Sequence, residues 1–411
     1  MTATALQQEE HLPEAIVCKW CGKSFHYLKS HISMGRCENI PESAKGLDVD
    51  EVVKMYTSAF PDESTISRTA LAKLNEKRAE KDSGEGKVAE ISAHPGYAGT
   101  VEYKTELVAA HELLGVTIKE LGTPRGKPLQ VTVNVNTPYP EFVPEAKKNY
   151  VYGDFDLIKD IFMMLEIGIP GYLWGHAGTG KSSLPTQLCA LLNRPLIRAQ
   201  HTASMEEAHV TGQILARDGS TYFEPGLLAL AMKNGWVYLA DEYDFAFPQI
   251  LGVYQPVLEG EPLIIKEATP DWRRITPHKR FAFIGTGNTN GSGDETGLYQ
   301  GTNIQNAANF SRFGIVSNVK YMSTKAEVNM LAEAGVIREY AEKMVKFANL
   351  VREGYEQHLI SQPIGPRELL LSAKIGMMRG DFSAGIEKSF INKLPSTSAQ
   401  AAREVVQKIF G

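Results

Sequence analysis

The chain has 411 residues, 43% of them hydrophobic, with a formal net charge of −5 and four cysteines. At roughly 100–200 residues per domain, that length holds two or three folding units with ample core. The charge excludes a global basic field for nucleic acid, and no apolar run of about 18 residues offers a membrane span. Four cysteines are too few for a disulfide framework, so a reducing, cytoplasmic setting is expected.

Residues 1–14 open with a polar, acidic stretch and are expected to form a disordered tail, not a signal peptide. Next come Cys18, Cys21, His31 and Cys37, spaced C-x₂-C-x₉-H-x₅-C. A C-x₂-C knuckle followed by a His and a Cys is a tetrahedral Zn²⁺ pattern. Gly22 suits the turn after the second thiolate, and Phe25 and Leu28 offer a core that metal must complete. His26 competes as a ligand, though His31 gives the more usual loop length. The stretch resembles single prokaryotic zinc fingers of the form C-x-x-C-G-K-x-F…L-x-x-H. Such fingers bind DNA or protein. Lys19, Lys23, Lys29 and Arg36 supply only modest positive charge, which favours protein docking or structural anchoring over DNA readout.

Residues 47–60 read as a short amphipathic helix and Ser67–Lys81 as another, with linkers at Asp82–Lys87 and His94–Gly99. A further helix is expected within 101–117. Val131–Val135 alternates as a strand does.

The stretch Gly175-His176-Ala177-Gly178-Thr179-Gly180-Lys181-Ser182 matches G-x-x-x-x-G-K-[ST], with an apolar strand candidate before it and a helical run from Ser183 behind. Its glycines let the loop curl so that backbone N–H groups face phosphate oxygens. The start of the helix adds its positive end. Lys181 is placed to reach the β- and γ-phosphates and Ser182 to ligate Mg²⁺. Pro185 is expected to kink or loosen the helix, and Cys189 reads as a buried helix residue. Trp236–Glu242 is an apolar run ending in two acids, which suits a buried parallel strand delivering Asp241 to the Mg²⁺ shell and Glu242 to the attacking water. Phe281–Gly287 is a second buried strand, and Asn288 at its end is placed to orient water or γ-phosphate.

These three elements, in that order, resemble an AAA+ ATPase. Phe223–Leu228 followed by Asp241-Glu242-Tyr243-Asp244 resembles the MoxR-like branch, and Gly293–Thr302 is very similar to the signature of CobS, the AAA+ subunit of aerobic cobaltochelatase. The resemblance covers about residues 140–380. It implies an α/β AAA+ P-loop NTPase core (a parallel sheet with flanking helices), a helical lid, ATP and Mg²⁺ as ligands, and a homo-oligomeric, hexameric ring. In the family that ring works with a von Willebrand A-type partner, CobT, and the chelating subunit CobN then inserts Co²⁺ into a corrin precursor. It also implies Asn288 as sensor 1 and Arg312 as an arginine finger, with Ser311 a mild departure from the Asp or like residue that usually precedes it in the family. Arg367 is implied as sensor 2 at the start of a lid helix. Thr211–Tyr222 looks like the helix-2 insert, and Leu263–Ile265 with Arg273–Thr276 like the hairpin before sensor 1. CobS chains carry no such N-terminal finger, so a borrowed motor with a new adaptor is expected, remodelling a partner protein. The alternatives are a true cobaltochelatase subunit and a finger-directed nucleic-acid-binding ATPase. The expected division is tail 1–14, zinc finger 15–40, helical and linker region 41–130, AAA+ core 131–322 and lid 323–411.

Overall fold

The computed structural model describes residues 13–33, 35–45, 47–61, 63–73, 101–217 and 220–411. The chain divides into two compact units, Met1–Ile91 and Ser92–Gly411.

In the first unit, β1 (Ile16–Val17) pairs antiparallel with β2 (Ser24–Phe25), and a short helix Leu28–Ser33 follows. The helix Val49–Ala59 starts at a full capping box, with Asp48 accepting from the Asp50 and Glu51 amides and Glu51 reaching back to the Asp48 N–H. It buries Val52 and Tyr56 against Cys18, Phe25, Leu28, Ile32 and Cys37. The unit therefore extends well past residue 40. Tyr27 bridges Ile66, and the Leu28 amide donates to the Thr65 carbonyl. The helix expected over Ser67–Lys81 is helical at 68–73. The rest of it, both linkers and nearly all of the expected tail lie outside the described residues.

The second unit begins with a hairpin-like pair, β3 (Thr105–Ala109) antiparallel to β4 (Gln130–Asn134). The helix expected within 101–117 is thus strand up to Ala109 and helical only over Ala110–Leu114. Pairing with a segment some twenty residues on overrides the local pattern, which no short window reveals.

Five parallel strands form the sheet: β5 (Gly171–Trp174), β6 (Leu196–Gln200), β9 (Val237–Asp241), β12 (Ala282–Gly287) and β13 (Ile315–Asn318), in the spatial order β13-β5-β12-β9-β6. Between them lie two hairpins, β7 (Gly212–Arg217) with β8 (Ser220–Pro225) and β10 (Leu263–Ile264) with β11 (Arg274–Ile275). Along β9, Val237 and Leu239 pack into one hydrophobic cluster and Tyr238 and Ala240 into the other. Both faces are covered, which is why the strand reads as a continuous apolar run. The register aligns Trp174 with Gly287 and Asn318, and Gln200 with Asp241, so the C-terminal strand ends form one edge. Ligands of open α/β sheets bind at that edge.

The helix after β5 runs Ser183–Leu191 without interruption at Pro185. Pro185 sits in the first turn, where a missing N–H costs least, so the expected kink does not occur. Beyond β13, helices Thr324–Glu333, Arg338–Glu356, Pro366–Arg379, Phe382–Ser389 and Ser396–Phe410 build a separate helical core around Met344, Phe347, Leu369 and Ile386. Arg352 and Glu327 form a bidentate ion pair inside it, at 2.8 and 2.7 Å.

Candidate functional site

The loop between β5 and its helix starts at Gly175, whose φ of +146° only glycine adopts readily. A methyl there would fall 2.4 Å from the Val319 carbonyl oxygen. Lys181 is buried, and its ammonium donates to the Gly175 carbonyl at 2.7 Å, the His176 carbonyl at 2.9 Å and Asn288 Oδ1 at 3.1 Å. Burial pushes Lys181 down to about 8, against the pull of the Asp244 and Asp241 carboxylates. Ser182 Oγ donates to Asp241 Oδ1 at 2.5 Å. Ser183 Oγ contacts the Tyr150 hydroxyl at 3.2 Å, and Thr179 Oγ1 donates to the His176 carbonyl at 2.9 Å.

Asp241 ends β9. Its Oδ1 also accepts from Thr286 Oγ1 at 2.5 Å, and its Oδ2 accepts from Arg198 Nε at 2.6 Å. Burial alone would raise its pKa, but the bonds from Ser182, Thr286 and Arg198 outweigh burial and hold the carboxyl below its ordinary value. Glu242 follows in the left-handed region at φ +54°, its amide donating to Thr286 Oγ1 at 3.2 Å and its carboxylate bonded to Gln200 Nε2. Burial and the neighbouring charges of Asp241 and Asp244 push its pKa up. A left-handed glutamate at a strand end is a strained backbone that the surrounding bonds must impose.

The structure thus gathers Gly175–Ser183, Asp241, Glu242 and Asn288 at one sheet edge. Arg367 joins them from the lid. Its Cβ lies 3.3 Å from where a Cβ on Gly178 would sit, and its charge lowers the pKa of Lys181. Arg312 stands apart from the loop of its own chain. Its Nε donates to Glu259 Oε1 at 2.6 Å and its NH1 to the Ala308 carbonyl. Sequence reasoning missed Arg198, Thr286 and Asp244. Asp244 is fully buried, and its Oδ2 accepts from the Asn288 and Thr289 amides, both at 2.9 Å, which fixes the turn carrying Asn288. A third acid, three residues after Asp241, is the available signal. The donors at Ser182 and Asp241 are a hydroxyl and a carboxylate, the hard oxygen set that suits Mg²⁺.

In the N-terminal unit, one donor atom from each of Cys18, Cys21, His31 and Cys37 lies within 4.8 Å of every other. Cys18 Sγ and Cys37 Sγ are 3.8 Å apart, and Cys21 Sγ and His31 Nε2 are 3.3 Å apart. Thiolates about 2.3 Å from a tetrahedral zinc sit about 3.8 Å from each other, so these residues fit the ion. His26 turns elsewhere, its Nδ1 3.1 Å from Ser67 Oγ, which leaves His31 as the imidazole of the cluster. Lys19, Lys23 and Lys29 pair with Glu63, Glu38 and Asp50.

A phosphate loop after β5, two acids at the end of β9, the strand β12 leading to Asn288 between them and a helical lid define a P-loop ATPase of the AAA+ class, whose substrate is a nucleotide with Mg²⁺. Residues 172–302 match the AAA domain family, dynein-related subfamily. The chain is 32% identical to the aerobic cobaltochelatase subunit CobS of a Sinorhizobium species, over 58% of this chain and 74% of that one. It is 23% identical to an uncharacterized protein of Staphylococcus aureus, over 62% of this chain and 96% of that one. The solved structure of the RuvB Holliday junction branch migration motor of Thermotoga maritima aligns at 13% identity and a TM-score of 0.38, over 65% of this chain and 72% of that one. The chain belongs to the CobS family of AAA+ ATPases. Among the described residues no helix is long and apolar enough to cross a membrane.

Proposed function

We propose that the chain forms a homo-oligomeric, hexameric ring in the cytoplasm whose ATP hydrolysis remodels a partner protein, with a CobT-like von Willebrand A-type protein as the favoured partner. The single observation behind the ATPase at the centre of this reading is the convergence of Lys181, Ser182, Asp241, Glu242 and Asn288 at one sheet edge. In it, Lys181 and the loop amides bind the phosphates, and Ser182 and Asp241 hold the Mg²⁺, which when bound neutralises charge on the phosphates. Glu242 takes the proton of the attacking water. Its raised pKa brings it nearer to neutrality, where a general base works best. Asn288 orients that water, Arg367 follows the phosphates from the lid, and Arg312 reaches the site of the neighbouring subunit.

The test is steady-state ATPase activity alongside nucleotide affinity. Lys181→Ala should lose affinity. Glu242→Gln should keep it and lose turnover by about 10²–10⁴. Arg312→Ala should bind nucleotide and lose about 10³–10⁵ in rate, and mixing it with Lys181→Ala should recover part of the activity. Wild-type turnover by Glu242→Gln, or full activity of Arg312→Ala, would overturn the assignment.

The 32% identity to a cobaltochelatase subunit favours a second reading, support of Co²⁺ insertion into a corrin precursor. Co-purification with Glu242→Gln separates the two: a CobN-like chelating subunit beside the CobT-like partner supports chelation, and a CobT-like partner without it supports the first reading. Nucleic-acid binding through the finger is disfavoured because three of its four basic side chains are already paired with acids. The Cys18–Cys21–His31–Cys37 cluster is proposed to hold one Zn²⁺ per chain as a structural ion, all four positions being filled by protein.

A further inference from the structure

The glycine-rich segment that follows Asn288 ends in a side chain the ATPase chemistry leaves without a task. Tyr299 reaches back to the phosphate loop, where its hydroxyl accepts from the Ala177 amide at 3.1 Å and meets His176 Nδ1 at 2.9 Å. With Ala177 N–H as donor, the hydroxyl hydrogen is free to bond Nδ1 of a neutral His176 that carries its proton on Nε2. Burial and the nearby Lys181 ammonium hold the His176 pKa below its ordinary value, which favours the neutral ring. Tyr299 is itself held from behind. Asp294 Oδ2 accepts from the Tyr299 amide at 2.7 Å, while Asp294 Oδ1 accepts from the Thr296 and Gly297 amides at 2.9 and 3.0 Å.

The same two loop residues touch the lid. The His176 ring lies edge-on to Tyr355, of the lid helix Arg338–Glu356, at 5.8 Å, and parallel to Tyr321, in the link that leads from β13 into the lid, at 5.8 Å. Tyr321 in turn is covered by the Arg352 guanidinium, 4.0 Å from its ring. A methyl on Gly365, just before the helix Pro366–Arg379, would fall 2.7 Å from the Ala177 carbonyl oxygen. Tyr299 thus pins the loop on one side where the lid abuts it on the other.

We propose that Tyr299 is a positioning residue for nucleotide: its hydroxyl clasps His176 and Ala177, sets the mouth of the phosphate loop, and couples that setting to the lid through the His176 ring. The proposal rests on the reading of Gly175–Ser182 as the nucleotide loop. A ring that merely filled space would not need its hydroxyl, and Tyr299→Phe removes the hydroxyl alone. Losing one net hydrogen bond that positions the loop should weaken binding roughly 3- to 10-fold. Because the clasp acts on the loop before and during reaction alike, KM should rise by that factor with kcat within about twofold.

The experiment measures the affinity of the full-length chain for a fluorescent ADP, with steady-state ATPase kinetics and thermal melting in parallel. Tyr299→Phe should bind more weakly with unchanged melting. Asp294→Ala, which touches no loop residue, should show the same loss. His176→Phe should also weaken binding, and the double variant with Tyr299→Phe should be no worse than Tyr299→Phe alone. Unchanged affinity in Tyr299→Phe, or strictly additive losses in the double variant, would overturn the clasp. Failure of the wild-type chain to bind the fluorescent ADP would instead overturn the nucleotide-loop reading.

Discussion

In the N-terminal unit the proposed metal ligands are themselves the core. Cys18, Cys37 and His31 are buried, and Cys18 and Cys37 pack directly with Phe25, Leu28, Ile32 and Tyr56 in a cluster of nine buried residues. In the nucleotide unit the site lies on an edge, while two larger clusters pack the faces of the sheet beneath it. Ligand and fold should therefore be inseparable in the first unit and separable in the second. A unit too small to bury enough surface needs its ion to fold, whereas a five-strand sheet presents its loop whether or not phosphate is there.

The largest expected effect tests the first half of that contrast. Stripping zinc with a strong chelator, or replacing Cys18 and Cys37 with Ser, removes a binding free energy on the order of 10 kcal/mol for sites of this kind. Residues 13–73 should then become sensitive to proteolysis, while the melting of the sheet unit stays where it was. Metal analysis and limited proteolysis check it. Continued protection of 13–73 without zinc would show that the packing around Tyr56 suffices, and the contrast would collapse.

A smaller effect is expected in the lid, where a charge rather than a ligand is buried. Glu327 is fully buried and depends on Arg352, which also donates to the Ile364 carbonyl at 3.0 Å. Arg352→Met should destabilise the lid by about 3–5 kcal/mol by leaving Glu327 buried and unpaired. Adding Glu327→Leu should return much of that loss, because replacing a buried pair by apolar groups is often neutral. Thermal melting of the two variants gives the answer. No recovery in the double variant would mean that Arg352 matters mainly through Tyr321 and the Ile364 carbonyl.

What the sequence made legible follows the same line. Gly175–Ser182, Asp241-Glu242 and Asn288 are local signals, since each chemistry needs its residue types at fixed spacing at a strand end, and an apolar run announces the strand. The Cys and His spacing is local for the same reason. What stayed hidden depends on contacts distant in sequence. Arg198 and Thr286 meet Asp241 only because β6 and β12 both flank β9. Thr105–Ala109 is a strand only because Gln130–Asn134 returns to it. Tyr56 belongs with the cysteines only after a capped helix folds back, so their packed cluster reaches from Ile16 to Tyr56 and does not end near 40. The left-handed Glu242 has no sequence signature, because glutamate does not prefer that conformation.

The smallest expected effect concerns Lys181, and it sharpens the second half of the contrast by asking what the rigid sheet imposes on its own loop. Burial pushes Lys181 down to about 8. Phosphates bind the ammonium form, so below that pH affinity for ADP should be flat. Above it the lysine must regain a proton on binding, and affinity should fall about tenfold per pH unit. Folding stability should move the opposite way. A lysine whose pKa is lowered by folding binds fewer protons folded than unfolded between pH 8 and 10.5, so its contribution to stability rises with pH across that window and is lost as pH falls back through 8. Fluorescent-ADP titrations and thermal melts from pH 7 to 10 would read both slopes on one sample. Lys181→Arg is the control: a guanidinium keeps its charge throughout, so binding should be weaker but independent of pH. A wild-type affinity that stays flat to pH 10 would mean that the loop carbonyls and Asn288 solvate the ammonium as well as water does, and that the sheet edge exacts no cost from the charge it holds.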